Sequence, residues 1–333
     1  MLYVSTRNKL DSYTAHRALH DEYAPDQGMF VPFHLSKFSQ EELAALKEHT
    51  FSETVARILN LFFSRQLSSW DIEFSIGRYP YRMEHLNQRV VIAELWHNTQ
   101  NSYSHLVQSV YQKLTFMEKK KENPPQWVKI ATETAILFGM YGELQKNGIE
   151  SFDIAVTADD FIYPISAWYA RQMGLPINCI ICGCSENSIV WDLLQRGVLN
   201  TDCKQPECLE HLIYGTLGLS YIEAYLKDCQ TKTSFQLAVE DLHILNDGFF
   251  TTVVGKNRID AVVCSIYRTN AYAADPVTAV SYGALQDYRA RTGENRTTLL
   301  LSRYSPVSYA EQVASAIGCS QEKLKAMIHL SRE

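Results

Sequence analysis

The chain has no uninterrupted apolar run approaching the ~20 residues that a membrane-spanning helix requires, and its opening, Met1-Leu-Tyr-Val-Ser-Thr-Arg7, holds no continuous apolar leader. A cytoplasmic protein without membrane contact is therefore expected. Positive charge is in deficit: 31 Lys and Arg face 37 Asp and Glu, a formal charge of −6. That balance argues against a general surface for nucleic acid or anionic lipid. The one basic run, Lys119-Lys-Lys121, is followed by Glu122-Asn-Pro-Pro and reads as a solvated turn. Metal-binding cysteine spacing is missing as well. Cys179, Cys182 and Cys184 lie close together with Cys203 and Cys208 downstream, but Ile177-Asn-Cys-Ile-Ile-Cys-Gly-Cys184 reads as a buried strand rather than a knuckle. Cys182 and Cys184 would share one face of that strand. Neither a metal site nor disulfides are expected.

What is present fits an α/β protein. The 333 residues are 46% apolar, enough for one large core. Ser39-Gln-Glu-Glu42 carries a capping-box pattern ahead of a helix, and Phe51 to Leu67 has helical periodicity. Val90 to Leu95 reads as a strand, Tyr103 to Lys121 and Trp127 to Gln145 as helices. Strands at 154–156, 179–182 and 297–302 alternate with helices at 165–173, 188–196, 205–230, 234–246, 257–269, 276–291 and 308–317. This alternation predicts parallel βαβ units.

Several segments form a more specific pattern. Tyr3-Val-Ser-Thr-Arg-Asn8 and Ala24-Pro-Asp-Gln-Gly-Met-Phe-Val-Pro32 resemble the opening motifs of the threonine synthase family. Glu94 to Leu106 resembles that family's ELFHGPTLAFKDF segment, with His97 on its histidine, Ser104 on its lysine and His105 on its aspartate. Phe152 to Ile177 is similar to the stretch containing the family's GNFG turn, and Asp159, Asp160, Phe161 and Ile162 fall on that turn. Glu186-Asn187 matches NEN, Glu207 to Tyr214 matches SNFERLLF, and Ala274 to Val280 matches DPHTAV. Leu301-Ser-Arg-Tyr-Ser-Pro306 lies where the family reads STAHP, with Arg303 at a hydroxyl position. Each match alone is weak, but matches from residue 3 to about residue 320 imply common descent.

The resemblance implies a parallel-rich twisted sheet flanked by helices, the large domain of a fold type II pyridoxal phosphate (PLP) enzyme of the tryptophan synthase β kind. It also marks what this chain has lost. The family's Schiff-base lysine is Ser104, which cannot form an imine. Its phosphate turn has become Asp159-Asp160-Phe161-Ile162, and carboxylates oppose a phosphate there. Two like charges about 4 Å apart repel by roughly 1 kcal/mol in water and several times more in a partly buried cleft. Arg303 would disfavour the protonated pyridinium. The family's SGDTG loop is absent, and the interval between about 115 and 127 cannot hold its small domain, since a domain needs about 50 residues.

The expectation is a single large domain over 1–333 and a pseudoenzyme with no PLP, acting as a binding, scaffolding or partner module. A divergent lyase or a cofactor-independent enzyme is the alternative. His97, Ser104, His105, Asp159, Asp160, Ser302 and Arg303 are expected to mark the vestigial cleft, with Arg303 paired to one of the two aspartates. No triad is specified, because adjacent helical residues such as Ser104 and His105 do not face one another. Lys113 and Lys129 are the lysines nearest the motif position. Loss of the small domain would expose a surface for a second copy or another protein, with Trp96, Trp127, Phe138, Tyr141 and Tyr163 candidates to line or cover it.

Overall fold

The computed structural model describes residues 1–77, 81–96, 103–115, 123–158, 160–200 and 208–330, with backbone alone for 103–106 and 330. At the N-terminus β1 (Leu2–Ser5) lies between β2 (Asn8–Thr14) and β3 (Phe30–Pro32), antiparallel to both. The sequence pattern did not foresee this small sheet, because its strands are short and β2 is mostly exposed. The helix α1 (Ala15–His20) is capped by Thr14. In α2 (Gln40–Ala44) the Ser39–Glu42 capping box forms as predicted. A second box from Thr50 and Glu53 starts α3 (Phe51–Phe63), which stops before Leu67 because Ser64 turns left-handed at φ 51°.

After α4 (Ser69–Ile76) the main sheet begins with β4 (Arg82–Asn87) and β5 (Val90–Glu94). Helix α5 (Tyr103–Leu114) precedes α6 (Gln126–Lys146), β6 (Phe152–Thr157), α7 (Ile162–Gln172) and β7 (Ile177–Cys184). Beyond Thr115 the expected continuation of α5 lies outside the described residues. A short α8 (Ile189–Trp191) runs into a π turn over Asp192–Arg196, and β8 (Val198–Asn200) follows. The helix expected over 205–230 is two helices, α9 (Leu209–Leu217) and α10 (Leu219–Thr231), broken at Gly218 with φ 90°. The one expected over 234–246 opens instead as β9 (Ser234–Gln236), paired with β8, before α11 (Val239–Leu245). Strand β10 (Phe249–Val253), which the sequence reading did not name, adds an edge to the sheet. The chain closes with α12 (Lys256–Asn270), α13 (Pro276–Thr292), β11 (Thr298–Ser302), a 3-10 turn at Pro306–Tyr309, α14 (Ala310–Ile317) and α15 (Gln321–Leu330).

The main sheet has the order β10-β7-β6-β11-β5-β4, parallel throughout except at the antiparallel edge β4. Burial on both faces explains the near-continuous apolar runs of the inner strands. Val91, Ala93, Ile154, Val156, Ile180, Leu299 and Leu301 pack into one core, whereas Val90, Ile92, Ala155, Ile181 and Leu300 face the other way. Cys182 and Cys184 share the first face, as strand alternation predicts, and both behave as small buried side chains. Among the described residues no group of three or more His, Cys, Asp or Glu side chains could hold a metal ion; Cys203 lies outside them. No described helix is long and apolar enough to cross a membrane.

On the first face lie α6 and α7; α13 covers the second. At Gly183 of β7 an added Cβ would sit 2.7 Å from the Val280 carbonyl oxygen, so the α13 backbone approaches to a distance only glycine permits. Trp96, Trp127, Phe138, Tyr141 and Tyr163, expected to line or cover an exposed cleft, are all buried at 3% exposure or less. Trp127, Phe138 and Tyr141 are core residues, while Trp96 and Tyr163, though buried, each line a cavity; among the described residues the most exposed aromatics are Phe33, Trp70 and Phe74, the last two stacked on α4.

Candidate functional site

The carboxyl ends of β6 and β11 lie side by side, because β11, the last strand in sequence, pairs between β5 and β6. A crevice at the strand ends of a parallel sheet is the usual ligand position in such folds. Beyond β6 the chain turns into α7 through Asp160 and Phe161. Phe161 is left-handed at φ 56°, and Asp160 Oδ1 accepts from the Ile162 N–H at 3.3 Å. Asp160 thus helps start the helix in the manner of an N-terminal cap. Asp159, beside it, lies outside the described residues.

Arg303, one residue past β11, reaches across to this turn. Its Nη1 lies 3.2 Å from Asp160 Oδ2, its Nη2 donates to Thr157 Oγ1 at 3.2 Å, and its guanidinium stacks 4.2 Å from the Tyr163 ring centroid. Burial works against the guanidinium charge, but Tyr163 and Asp160 more than offset it and hold the pKa above its ordinary value. Beneath them, on α6, Glu133 is 3% exposed. Burial drives its carboxyl well above the usual range, Arg303 and the Tyr163 hydroxyl oppose that shift, and Asp160 adds to it. Burial thus favours the neutral form of the Glu133 carboxyl. Sequence reasoning passed over this residue. Its signal was a lone carboxyl in the otherwise uncharged stretch Ile130 to Met140 of a helix buried along almost its whole length.

Ser302 sits behind the crevice rather than on its wall. It is 1% exposed, and its hydroxyl accepts from Trp96 Nε1 at 3.1 Å, lies 3.0 Å from Thr278 Oγ1 and donates to Asp275 at 3.3 Å. Asp275 caps α13 through the Val277 and Thr278 amides, and Thr278 Oγ1 also donates to it. Ser302 is a structural hydroxyl in this network, not an exposed nucleophile. His97 lies outside the described residues, and Ser104 and His105 are placed only as backbone in the first turn of α5. Lys113 is held 2.8 Å from Asp71 of α4, whose pKa falls to about 2 chiefly through that hydrogen bond.

Two cavities flank Arg303. One, about 290 Å³, is lined by Lys129, Glu133, Ile162, Tyr163, Arg303 and residues of α5. The other, about 620 Å³, extends over the strand ends and takes in Thr157, Asp160, Glu186, Asn187, Lys256 and Tyr309. Asn187 there is left-handed at φ 63°. Arg303 and Tyr304 line both cavities.

Residues 2–78 match the family model described as threonine synthase N terminus. Among curated proteins, threonine synthase-like 2 of Xenopus laevis is 26% identical over 228 residues, covering 57% of this chain and 48% of that protein. Threonine synthase-like 1 of Homo sapiens is 25% identical over 179 residues, covering 48% and 24%. The matched part thus spans about half or less of these relatives' length. Among solved structures, PLP-bound threonine synthase from Brucella melitensis superposes with a TM-score of 0.80 at 14% identity, over 96% of this chain and 92% of that one. Yeast threonine synthase gives 0.79, also at 14%, over 95% and 90%. At such identity the structures establish the fold alone, and the likeness in sequence rests on the family model over residues 2–78 and on the curated relatives.

Proposed function

We propose that this chain, threonine-synthase-like in its N-terminal segment and in its fold, is a pseudoenzyme that has given up PLP chemistry and serves as a binding or partner module. The observation that carries this reading is the Arg303–Asp160 pair across the ends of β11 and β6. PLP, the cofactor of the Brucella neighbour, would need neutral donors around its phosphate and a compatible group at its ring nitrogen. The residues present do not fit it. A guanidinium fills the volume beside Thr157 and Tyr163, a carboxylate stands at the turn into α7, and the motif lysine is Ser104. Helix α6 begins at Gln126 after α5 ends at Leu114, an interval too short for a domain, which supports deletion of the small domain.

The test is spectroscopic and catalytic. Purified protein should be colourless, should gain no internal-aldimine absorbance on addition of PLP, and should release neither threonine nor phosphate from O-phosphohomoserine. An aldimine band that borohydride traps on Lys129, the lysine lining the smaller cavity, would establish the alternative of a divergent PLP enzyme.

A further inference from the structure

The smaller cavity has a charge composition of its own. Lys129 and Glu133 stand four residues apart on one face of α6, Tyr163 comes from α7, and Arg303 from the end of β11. Lys129 is half-buried and forms no ion pair with any described residue. Asp160 neutralises Arg303 from the side of the other cavity and does not line this one. Glu133 faces Arg303, Asp160 and Tyr163 and shares its cavity with Lys129, and burial favours the neutral form of its carboxyl. Among the described residues the charged groups at the chamber are Lys129 and Arg303, with Asp160 against Arg303 from the other side, and its remaining walls include Val107 and Ile162. A cation would meet the like charges of Lys129 and Arg303, and a polyanion would bring more negative charge than these two groups, one of them already paired, can match. At about 290 Å³ the space lies at the small end of ligand pockets, which run from roughly 300 to 1,000 Å³.

We propose that this cavity binds a short-chain monocarboxylate, its carboxylate seated between the Lys129 ammonium and the Arg303 guanidinium, its chain against Val107 and Ile162. In its neutral form, which burial favours, Glu133 faces the same anion as a donor, so binding weakens as Glu133 ionises. Arginine retains donors for this role, since its five N–H groups exceed the bonds made to Asp160 and Thr157. The proposal deepens the cofactor-free reading, which leaves Arg303 and Lys129 unmodified.

The experiment is calorimetric titration of the full chain with butyrate, butyramide and inorganic phosphate across pH 6 to 9. Butyrate is expected to bind saturably in the millimolar range or tighter, and its neutral amide and phosphate at least tenfold more weakly. Lys129→Met, a change at a half-buried position that leaves the core intact, should weaken butyrate at least tenfold. Glu133→Gln, which keeps an N–H donor, should bind butyrate with the pH dependence removed. Equal binding of butyrate and butyramide, absence of saturable butyrate binding, or an unaltered Lys129→Met variant would each overturn the assignment. No PLP enters the titration, so a coloured protein defeats the cofactor-free reading, whereas lost discrimination between acid and amide defeats this one.

Discussion

Arg303 and Asp160, 143 residues apart in sequence, meet at 3.2 Å where β11 and β6 end together. The guanidinium is mostly buried and the carboxylate about half exposed, which makes their contributions unequal. Solvent screens the pair from the Asp160 side, while Arg303 also packs on Tyr163 and bonds Thr157.

Replacing the two partners should therefore give different costs. Asp160→Asn is expected to lower stability by about 0–1 kcal/mol, as for exposed pairs. Arg303→Met should cost about 1–3 kcal/mol, because it removes stacking and hydrogen bonds as well as charge. Urea unfolding of both variants checks this ordering, and an Asp160→Asn loss exceeding that of Arg303→Met would contradict it.

Asp153, at the start of β6, is 1% exposed, and burial raises its pKa to about 6 from an ordinary 3.8. The folded state then holds a proton that the unfolded chain has released. Its contribution is full below about pH 3.8 and is lost as pH rises through about 6. Asp153→Asn should flatten the stability profile over that window and raise the melting temperature at pH 7 to 8, measured by calorimetry against the parent protein.

His211 works in the opposite direction. Fully buried against Trp127 and hydrogen-bonded through Nδ1 to the Tyr169 hydroxyl at 2.9 Å, it has its pKa lowered by burial from 6.5 to about 3. The unfolded chain takes up the proton first, so stability is lost as pH falls below 6.5, by about 2 kcal/mol at pH 5. His211→Phe is expected to remove that slope between pH 6.5 and 4 whatever its effect on stability at pH 8. An unchanged slope in pH-dependent denaturation would show that His211 is protonated in the fold.

Gly183→Ala should destabilise by about 1–3 kcal/mol, since the new Cβ would lie 2.7 Å from a backbone oxygen of α13, which cannot move aside as a side-chain tip could. Gly293→Ala, where nothing lies within 4 Å, is the matched control; its positive φ of 74° limits the cost to backbone strain. The two differ in chevron or equilibrium unfolding if helix–sheet contact is the cause.

The strands and helices that build the site were legible because their signals are local. The alternating apolar faces of β5, β6, β7 and β11, the Ser39 box and the cysteine pair on β7 need only neighbours in sequence to be read. Elements that draw their stability from distant partners were missed or misread. Strand β9 lies within a helical pattern and exists by pairing with β8, β10 by pairing with β7, and the N-terminal sheet by joining β3 to β1. Tertiary pairing overrides local propensity in such short segments.

By itself the sequence determined the α/β class, the threonine-synthase resemblance and the identities of the residues standing at the family's motif positions, because these are properties of order along the chain. Only the tertiary structure decided which of them meet. Inserting β11 between β5 and β6 placed Arg303 on Asp160 and above Glu133, buried Ser302 in the Asp275 network, and left Lys129 on a cavity wall. The physical reason is that burial and proximity fix charge state and hydrogen bonding, and both depend on strand order rather than on spacing in sequence.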